Sequence, residues 1–228
     1  MIRATVTGAG RMGLSIQRLA DSRSDIDVVR LWRRGEDLAD AIADADVVID
    51  FSLPEATTQI ATESARQQKP LVCGVSGLDA IETGALRAAA EKTPVLYDRN
   101  MSFGIAVLDV AIRDVGRSLS DGFDIRIEET HHVHKKDAPS GTALKLGESL
   151  IDVGAAETQE DIDYHSEREG EVPGDHSIVF ESATERLEFR HSVTTRDVFA
   201  EGALRAAIWL AGQPPGWYSM RDVLFGND

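Results

Sequence analysis

A single cysteine, Cys73, stands among 228 residues. An intrachain disulfide is therefore impossible, and a reducing compartment is expected. Long apolar runs are missing too: none approaches the ~20 residues that a membrane helix needs. Basic residues are scarce beside acidic ones, 24 Lys and Arg against 39 Asp and Glu, which leaves a formal net charge of −15. That balance repels nucleic acid and anionic membrane over most of the surface. No nucleic-acid or membrane partner is expected, and an anionic ligand has to be met by a local basic cluster. Met1 to Val6 run straight into a strand-like pattern, without the charged and apolar regions of a signal peptide, so a cytoplasmic location is expected. Internal repeats and low-complexity tracts are absent. What is present is a 42% hydrophobic fraction, enough to fill the core of one large α/β domain or two smaller ones.

The pattern along the chain alternates. Ile2 to Val6 reads as a strand, Gly8 to Gly13 as a turn, and Leu14, Ile16, Leu19 and Ala20 recur at helical spacing. Strands then follow over Asp27–Trp32, Val47–Phe51, Leu71–Gly74 and Val95–Tyr97, with helices over Asp37–Ala45, Pro54–Gln67 and Asp79–Lys92 between them. Five strands with intervening helices predict a Rossmann-like, doubly wound parallel sheet of the α/β class. After Asn100 the character changes. A long apolar helix from about Ile105 to Leu119 leads into the alternating strand Phe123–Glu128, and Ser140 can cap a helix reaching about Val153. Strands over Ile178–Phe180 and Arg186–Val193 suggest a second α+β domain on an open sheet. Ala155 to Gly174 is polar and poorly periodic and reads as a loop, and Asp197 to Gly212 reads as an amphipathic helix able to return to the first domain.

Gly8-Ala9-Gly10-Arg11-Met12-Gly13 has the G-x-G-x-x-G spacing and lies between a predicted strand and a predicted helix, the context that gives the pattern meaning. Glycines let backbone approach a pyrophosphate, and the helix amino terminus offers it free N–H groups. The alternative is a tight turn that binds nothing. The second strand ends in Leu31-Trp32-Arg33-Arg34, with no carboxylate before Glu36. Adjacent guanidiniums suit a 2′-phosphate, which favours NADPH over NADH, unless Arg33 and Arg34 are solvated surface residues. Trp32 can stack on an adenine or belong to the core.

The richest segment runs from Glu128 through Thr130-His131-His132-Val133-His134-Lys135-Lys136-Asp137-Ala138-Pro139-Ser140-Gly141-Thr142, and it holds three of the six histidines. A histidine can donate a proton near neutral pH, and a fixed lysine charge can bind a carboxylate. Ser140-Gly141-Thr142 at a helix amino terminus adds hydroxyls and N–H groups that can cradle a carboxylate. Competing readings are a metal site at His131, His132 and His134, opposed by the flanking lysines, a solvated basic patch, or a turn with a helix cap. We expect no metal.

This dodecapeptide from His131 to Thr142 closely resembles a signature of the dihydrodipicolinate reductase family. So do the glycine loop, Asp50–Glu55, Cys73–Gly77, Asn100–Gly104, Gly174-Asp175-His176, Glu185–Glu188, Phe199–Ala203 and Met220–Leu224, which together span nearly the whole chain. The resemblance implies hydride transfer from a nicotinamide to the ring of 4-hydroxy-tetrahydrodipicolinate, with loss of water, in diaminopimelate and lysine synthesis. It implies His131 as proton donor and Lys135 as the second catalytic group, with His132, Ser140, Gly141 and Thr142 holding the carboxylates of the small dicarboxylate substrate. It implies that Gly8, Ala9, Gly10, Arg11, Met12, Gly13, Arg33 or Arg34, Gly74, Val75, Ser76, Asp98, Arg99, Asn100 and Met101 line NADPH, with NADH also possible. It further implies a homotetramer built through the second domain. The corresponding division is a dinucleotide-binding domain of residues 1–102 and 201–228 and a substrate-binding and oligomerisation domain of residues 103–200. A reductase of another cyclic imine dicarboxylate, or a non-catalytic NADPH-binding sensor, remains the alternative.

Overall fold

The computed structural model describes residues 1–119 and 122–226; residues 120, 121, 227 and 228, which fall inside the domain ranges read from the sequence, lie outside the described residues. In chain order the elements are β1 (Ile2–Thr7), α1 (Arg11–Ala20), β2 (Ile26–Trp32), α2 (Leu38–Ala43), β3 (Val47–Asp50), α3 (Pro54–Arg66), β4 (Leu71–Cys73), α4 (Ala80–Ala90) and β5 (Pro94–Tyr97). They continue as α5 (Phe103–Ser118), β6 (Asp124–His131), α6 (Gly141–Asp152), β7 (Ile162–Arg168), β8 (Asp175–Glu181), β9 (Arg186–His191), α7 (Asp197–Leu210), β10 (Gly216–Tyr218) and α8 (Met220–Phe225). They form two units, one of Met1–Phe103 with Asp197–Asp228 and one of Gly104–Arg196. Among the described residues no helix is long and apolar enough to cross a membrane.

The first unit is a six-stranded sheet in the order β10-β5-β4-β3-β1-β2, with every neighbouring pair parallel. Parallel strands buried on both faces need unbroken apolar runs, and Val47-Val48-Ile49 of β3 are each 0% exposed. Trp32, Ile42, Ile60, Leu71 and Leu86 form one apolar cluster with α2, α3 and α4. Helix α7 packs on α1 and over β3, β4 and β5. The strand order reverses at β1, and the carboxyl edge at such a reversal is where this architecture binds ligands. The parallel sheet has six strands rather than the five expected. β10 has only three residues, after Pro214 and Pro215, too few for a periodic signal, and it forms because the edge of β5 offers it backbone partners. Trp32 is a core residue: it is 4% exposed and its indole N–H donates to the Glu36 carbonyl at 3.1 Å.

The second unit is a mixed sheet, β7-β6-β8-β9, in which β6 and β7 run parallel and the other pairs antiparallel. One face buries Ile125, Ile127, Ile178 and Phe180 against Leu108 and Ile112 of α5 and Leu146 and Leu150 of α6. On the strands themselves the intervening residues are polar: Arg126 pairs with Asp163 at 2.9 Å and approaches Glu128 and Glu181. The stretch read as a loop, Ala155 to Gly174, contains β7. Its burial alternates but its residues are mainly polar, Ile162-Asp163-Tyr164-His165-Ser166-Glu167-Arg168, because it is an edge strand held to β6 by backbone pairing.

Candidate functional site

In the first unit the loop after β1 is shaped by contacts that only glycine tolerates. Gly8 has φ +103°, and a Cβ there would lie 2.4 Å from the Phe51 carbonyl oxygen. A Cβ on Gly13 would lie 1.9 Å from the Gly8 carbonyl oxygen, whereas one on Gly10 meets nothing within 4 Å. The loop is thus tight on its sheet side and open at Gly10. Gly10 is the N-cap of α1 and offers no side-chain cap, so the first N–H groups of that helix have no side chain closing them. An open cradle of backbone donors at a helix amino terminus fits a dinucleotide pyrophosphate. Beneath the loop, Asp50 is fully buried and accepts from the Thr7 hydroxyl at 2.8 Å and the Ser52 N–H at 2.9 Å. Burial pushes its carboxyl above the usual range, and those hydrogen bonds work against the rise.

The remaining residues expected around a cofactor divide by exposure. Arg33 and Arg34 are exposed just past β2, with Arg34 3.6 Å from Glu55. Gly74 is packed so closely that a Cβ would lie 2.4 Å from the Phe51 ring; Val75 is buried and Ser76 exposed. Asp98 and Met101 are buried at 3% and 2%. The Asp98 carboxylate accepts from the Met220 and Asn100 N–H groups, so its side chain serves the fold, while Arg99 is exposed.

The second unit gathers the charged cluster around a residue to which sequence reasoning gave no role. Glu129 lies on β6 with its side chain 1% exposed. Its Oε1 accepts from the Ser140 N–H at 3.0 Å, the Ser166 hydroxyl at 2.8 Å and Arg168 at 3.4 Å. Its Oε2 stands 3.4 Å from His131 Nδ1 and 3.7 Å from His176 Nε2. Burial alone raises the Glu129 carboxyl, but the hydrogen bonds from Ser140 and Ser166 and the adjacent His131 outweigh it and hold it below the usual range. His131 is pulled down to about 4, chiefly by burial and further by Lys135 and Arg168, with Glu129 opposing. His176 is pulled down to about 3 by burial and by His131. The two imidazole rings meet edge to face with centroids 5.1 Å apart.

Lys135 holds Asp137 at 2.8 Å, and the Gly141 N–H also supports that carboxylate, which therefore lies below its usual range despite the opposing effect of burial. Arg168 fastens the same loop by donating to the carbonyls of Lys135 and Asp137. Ser140 is the N-cap of α6: its hydroxyl accepts from the Ala143 N–H at 3.1 Å and lies 3.4 Å from His176 Nε2. The cap reading of Ser140 therefore holds at the level of its side chain. Thr142 is 7% exposed. His132 does not join the buried group; burial and Arg196 lower it, and its ring neighbours His134 at 6.1 Å. The ligand-capable atoms of Glu129, His131 and His176 lie within 4.8 Å of one another, a different set from the three histidines weighed in the sequence. Arg168 beside Glu129 and Lys135 near His131 set two positive charges against a cation there.

Glu129, Gly174, His176, Ser166 and Arg168 were the residues without an assigned role. One signal was available: Glu129 and His131 are two apart on a strand and so share a face. The pairing of Glu129 with His176 across β6 and β8 is a matter of register.

A parallel sheet with a glycine loop at its reversal point, and a buried histidine with an adjacent lysine in an α+β unit, define a Rossmann-type oxidoreductase. Residues 2–101 match the family model described as dihydrodipicolinate reductase, N-terminus, and residues 104–224 the one described as dihydrodipicolinate reductase, C-terminus. The chain belongs to the dihydrodipicolinate reductase family. It is 40% identical to the 4-hydroxy-tetrahydrodipicolinate reductase of Akkermansia muciniphila, with 98% of each chain covered. It is also 40% identical to that of Halorhodospira halophila, over 83% of this chain and 77% of the relative. Among solved structures it is similar in fold to the dipicolinate-bound dihydrodipicolinate reductase from Paenisporosarcina sp. TG-14, with TM-score 0.79, 20% identity, and coverage of 98% and 100%.

Proposed function

We propose that this chain reduces 4-hydroxy-tetrahydrodipicolinate to tetrahydrodipicolinate, with loss of water, in diaminopimelate and lysine synthesis. The observation that carries the reading is the gathering of His131 and the amino terminus of α6 at one buried carboxylate, Glu129, with Lys135 paired to Asp137 on the loop between them, in a family whose named relatives are reductases of this compound. A reduced nicotinamide dinucleotide supplies the hydride when bound. Gly8, Ala9, Gly10, Arg11, Met12 and Gly13 hold its pyrophosphate through backbone N–H groups, with Gly74 to Ser76 and Asp98 to Met101 as further lining, the buried members contributing backbone.

His131 delivers the proton that the reduction consumes. Lys135 binds a substrate carboxylate and in doing so releases Asp137, while the α6 amino terminus at Ser140, Gly141 and Thr142 takes the same group through N–H donors. His132 binds the second carboxylate from its more exposed position. A dianionic substrate beside His131 favours its protonated form and so offsets the lowering caused by burial. The two exposed guanidiniums of Arg33 and Arg34 select the 2′-phosphate, making NADPH the preferred cofactor over NADH. The cell location is the reducing cytoplasm, and the assembly is a homotetramer formed through the sheet of the second unit, which light scattering on the purified protein checks directly.

The test follows absorbance of NADPH, then of NADH at matched concentration, with freshly generated substrate. Rapid oxidation of NADPH and much slower oxidation of NADH is the expected result. Equal rates remove the role of Arg33 and Arg34 alone. Binding of both cofactors with oxidation of neither removes the reductase reading in favour of a sensor or another substrate.

A further inference from the structure

Glu129 has one oxygen satisfied and one waiting. Oε1 is held by Ser140, Ser166 and Arg168, so the carboxylate cannot rotate without losing three donors. Oε2 is buried and has no hydrogen-bond partner, and neither has His131 Nδ1, which stands 3.4 Å away. A buried donor and a buried acceptor, each otherwise unmatched and facing each other, are a pair that a small ring rotation completes, and contacts of this kind often close only when a ligand binds. The competing neighbour of Oε2 is His176, but its Nε2 is farther, at 3.7 Å, and has the Ser140 hydroxyl at 3.4 Å as an alternative. On the other side of the His131 ring, Gly174 adopts φ +152°, and a Cβ there would come within 3.0 Å of Nε2. The chain therefore keeps Nε2 clear while it sets a fixed negative charge against Nδ1.

We infer that Glu129 is the positioning residue of the proton donor: its Oε2 accepts a hydrogen bond from the Nδ1–H of His131, so that the proton given to the substrate leaves from Nε2. The inference rests on the reading of His131 as donor. Before transfer the imidazolium carries protons on both nitrogens. The Nε2–H bond then breaks toward the ring atom of the substrate that the hydride leaves electron-rich, its electron pair stays on Nε2, and the neutral Nδ1–H form remains against the carboxylate. The groups facing His131 are Glu129 on its own strand, Lys135 and Asp137 from the following loop, Arg168 from β7 and His176 from β8. Glu129 and Asp137 favour its charged form, and Lys135 and Arg168 oppose it. Asp137 is engaged with Lys135, which leaves Glu129, among the described residues, as the one buried anion in contact with the ring.

The experiment is the pH profile of kcat, which reads the substrate-bound enzyme, for the wild type and Glu129→Gln, with His131→Gln alongside. A general acid must be protonated, so activity falls as pH rises through its pKa. Glutamine keeps the size of the side chain and removes its charge. The expected result is an alkaline limb moved to lower pH by at least ~1 unit, which is about tenfold less activity at pH values above both limbs and little change well below them. A limb that stays in place, including one scaled down uniformly, overturns the inference, because a merely structural role lowers activity without moving a pKa. Nitrogen-15 NMR of the histidines in the wild-type enzyme gives a second reading that does not depend on whether Glu129→Gln folds. Neutral His131 should carry its proton on Nδ1, and finding it on Nε2 refutes the pairing. Full turnover in His131→Gln removes the donor reading and the inference with it, an outcome separate from a normal His131 requirement with an unmoved limb.

Discussion

Lowering the pH from 7.5 to 5 should destabilise this protein through histidines that the fold keeps neutral, and His176 isolates the effect. It is 2% exposed, and burial pulls it down to about 3. In the unfolded chain an imidazole titrates near ~6.5. Because the folded value is the lower one, the unfolded chain takes up the proton first. The stability this group contributes is thus fully present above pH ~6.5 and is lost progressively as pH falls toward the folded value. The slope is ~1.4 kcal/mol per pH unit, so the 1.5 units between 6.5 and 5 amount to about 2 kcal/mol from this one residue. Buried His131, at about 4, adds a loss of the same sign. Carboxylates held below their usual range, such as Glu129, Asp137 and Asp175, titrate at lower pH and do not enter this window. Urea unfolding of the wild type and of His176→Asn at the two pH values measures the difference. The variant should lose about 2 kcal/mol less than the wild type over the interval, whatever its stability at pH 7.5. Equal losses would show that His176 is not held neutral by burial and would refute the reasoning.

Replacing Asp137 by asparagine frees Lys135 and the Gly141 N–H from a resident carboxylate, so KM for the dicarboxylate should drop several-fold with little change in kcat. Steady-state kinetics decide it, and a raised KM would count against competition. Gly174→Ala puts a methyl group within 3.0 Å of His131 Nε2 at a backbone angle that suits glycine. We expect kcat to drop by about tenfold or more while NADPH affinity, measured by fluorescence titration, stays unchanged. Gly13→Ala must displace the Gly8 carbonyl, only 1.9 Å from the new carbon, and should cost about 1–3 kcal/mol in denaturant unfolding as well as nucleotide affinity.

Much of the architecture was legible because its signals are local. The glycine loop between a strand and a helix, Pro54 at the start of α3, Ser140 as a helix cap, and the apolar runs of β3 to β5 each act within a few residues. β10 and β7 were not legible. The first is three residues long and the second mainly polar, and both exist through backbone pairing to an edge that the rest of the sheet provides. Trp32 shows the same limit for a side chain, since whether an indole faces a ligand or the core depends on helices packed over it.

For the candidate site, the sequence alone determined that His131, Lys135 and Ser140–Thr142 stay close, since they share one short segment and a helix start. It also determined that Arg33 and Arg34 follow β2 without a carboxylate before Glu36. Tertiary structure decided the chemistry of that segment. Glu129 meets His176 through the register of β6 and β8, and it meets Ser166 and Arg168 because β7, 37 and 39 residues away, lies alongside. These contacts set burial and neighbouring charge, the two terms that move a pKa most, and neither is a property of residues adjacent in the chain. Sequence could name the histidine; only the packed sheet makes it an imidazole near 4 with a carboxylate at its back.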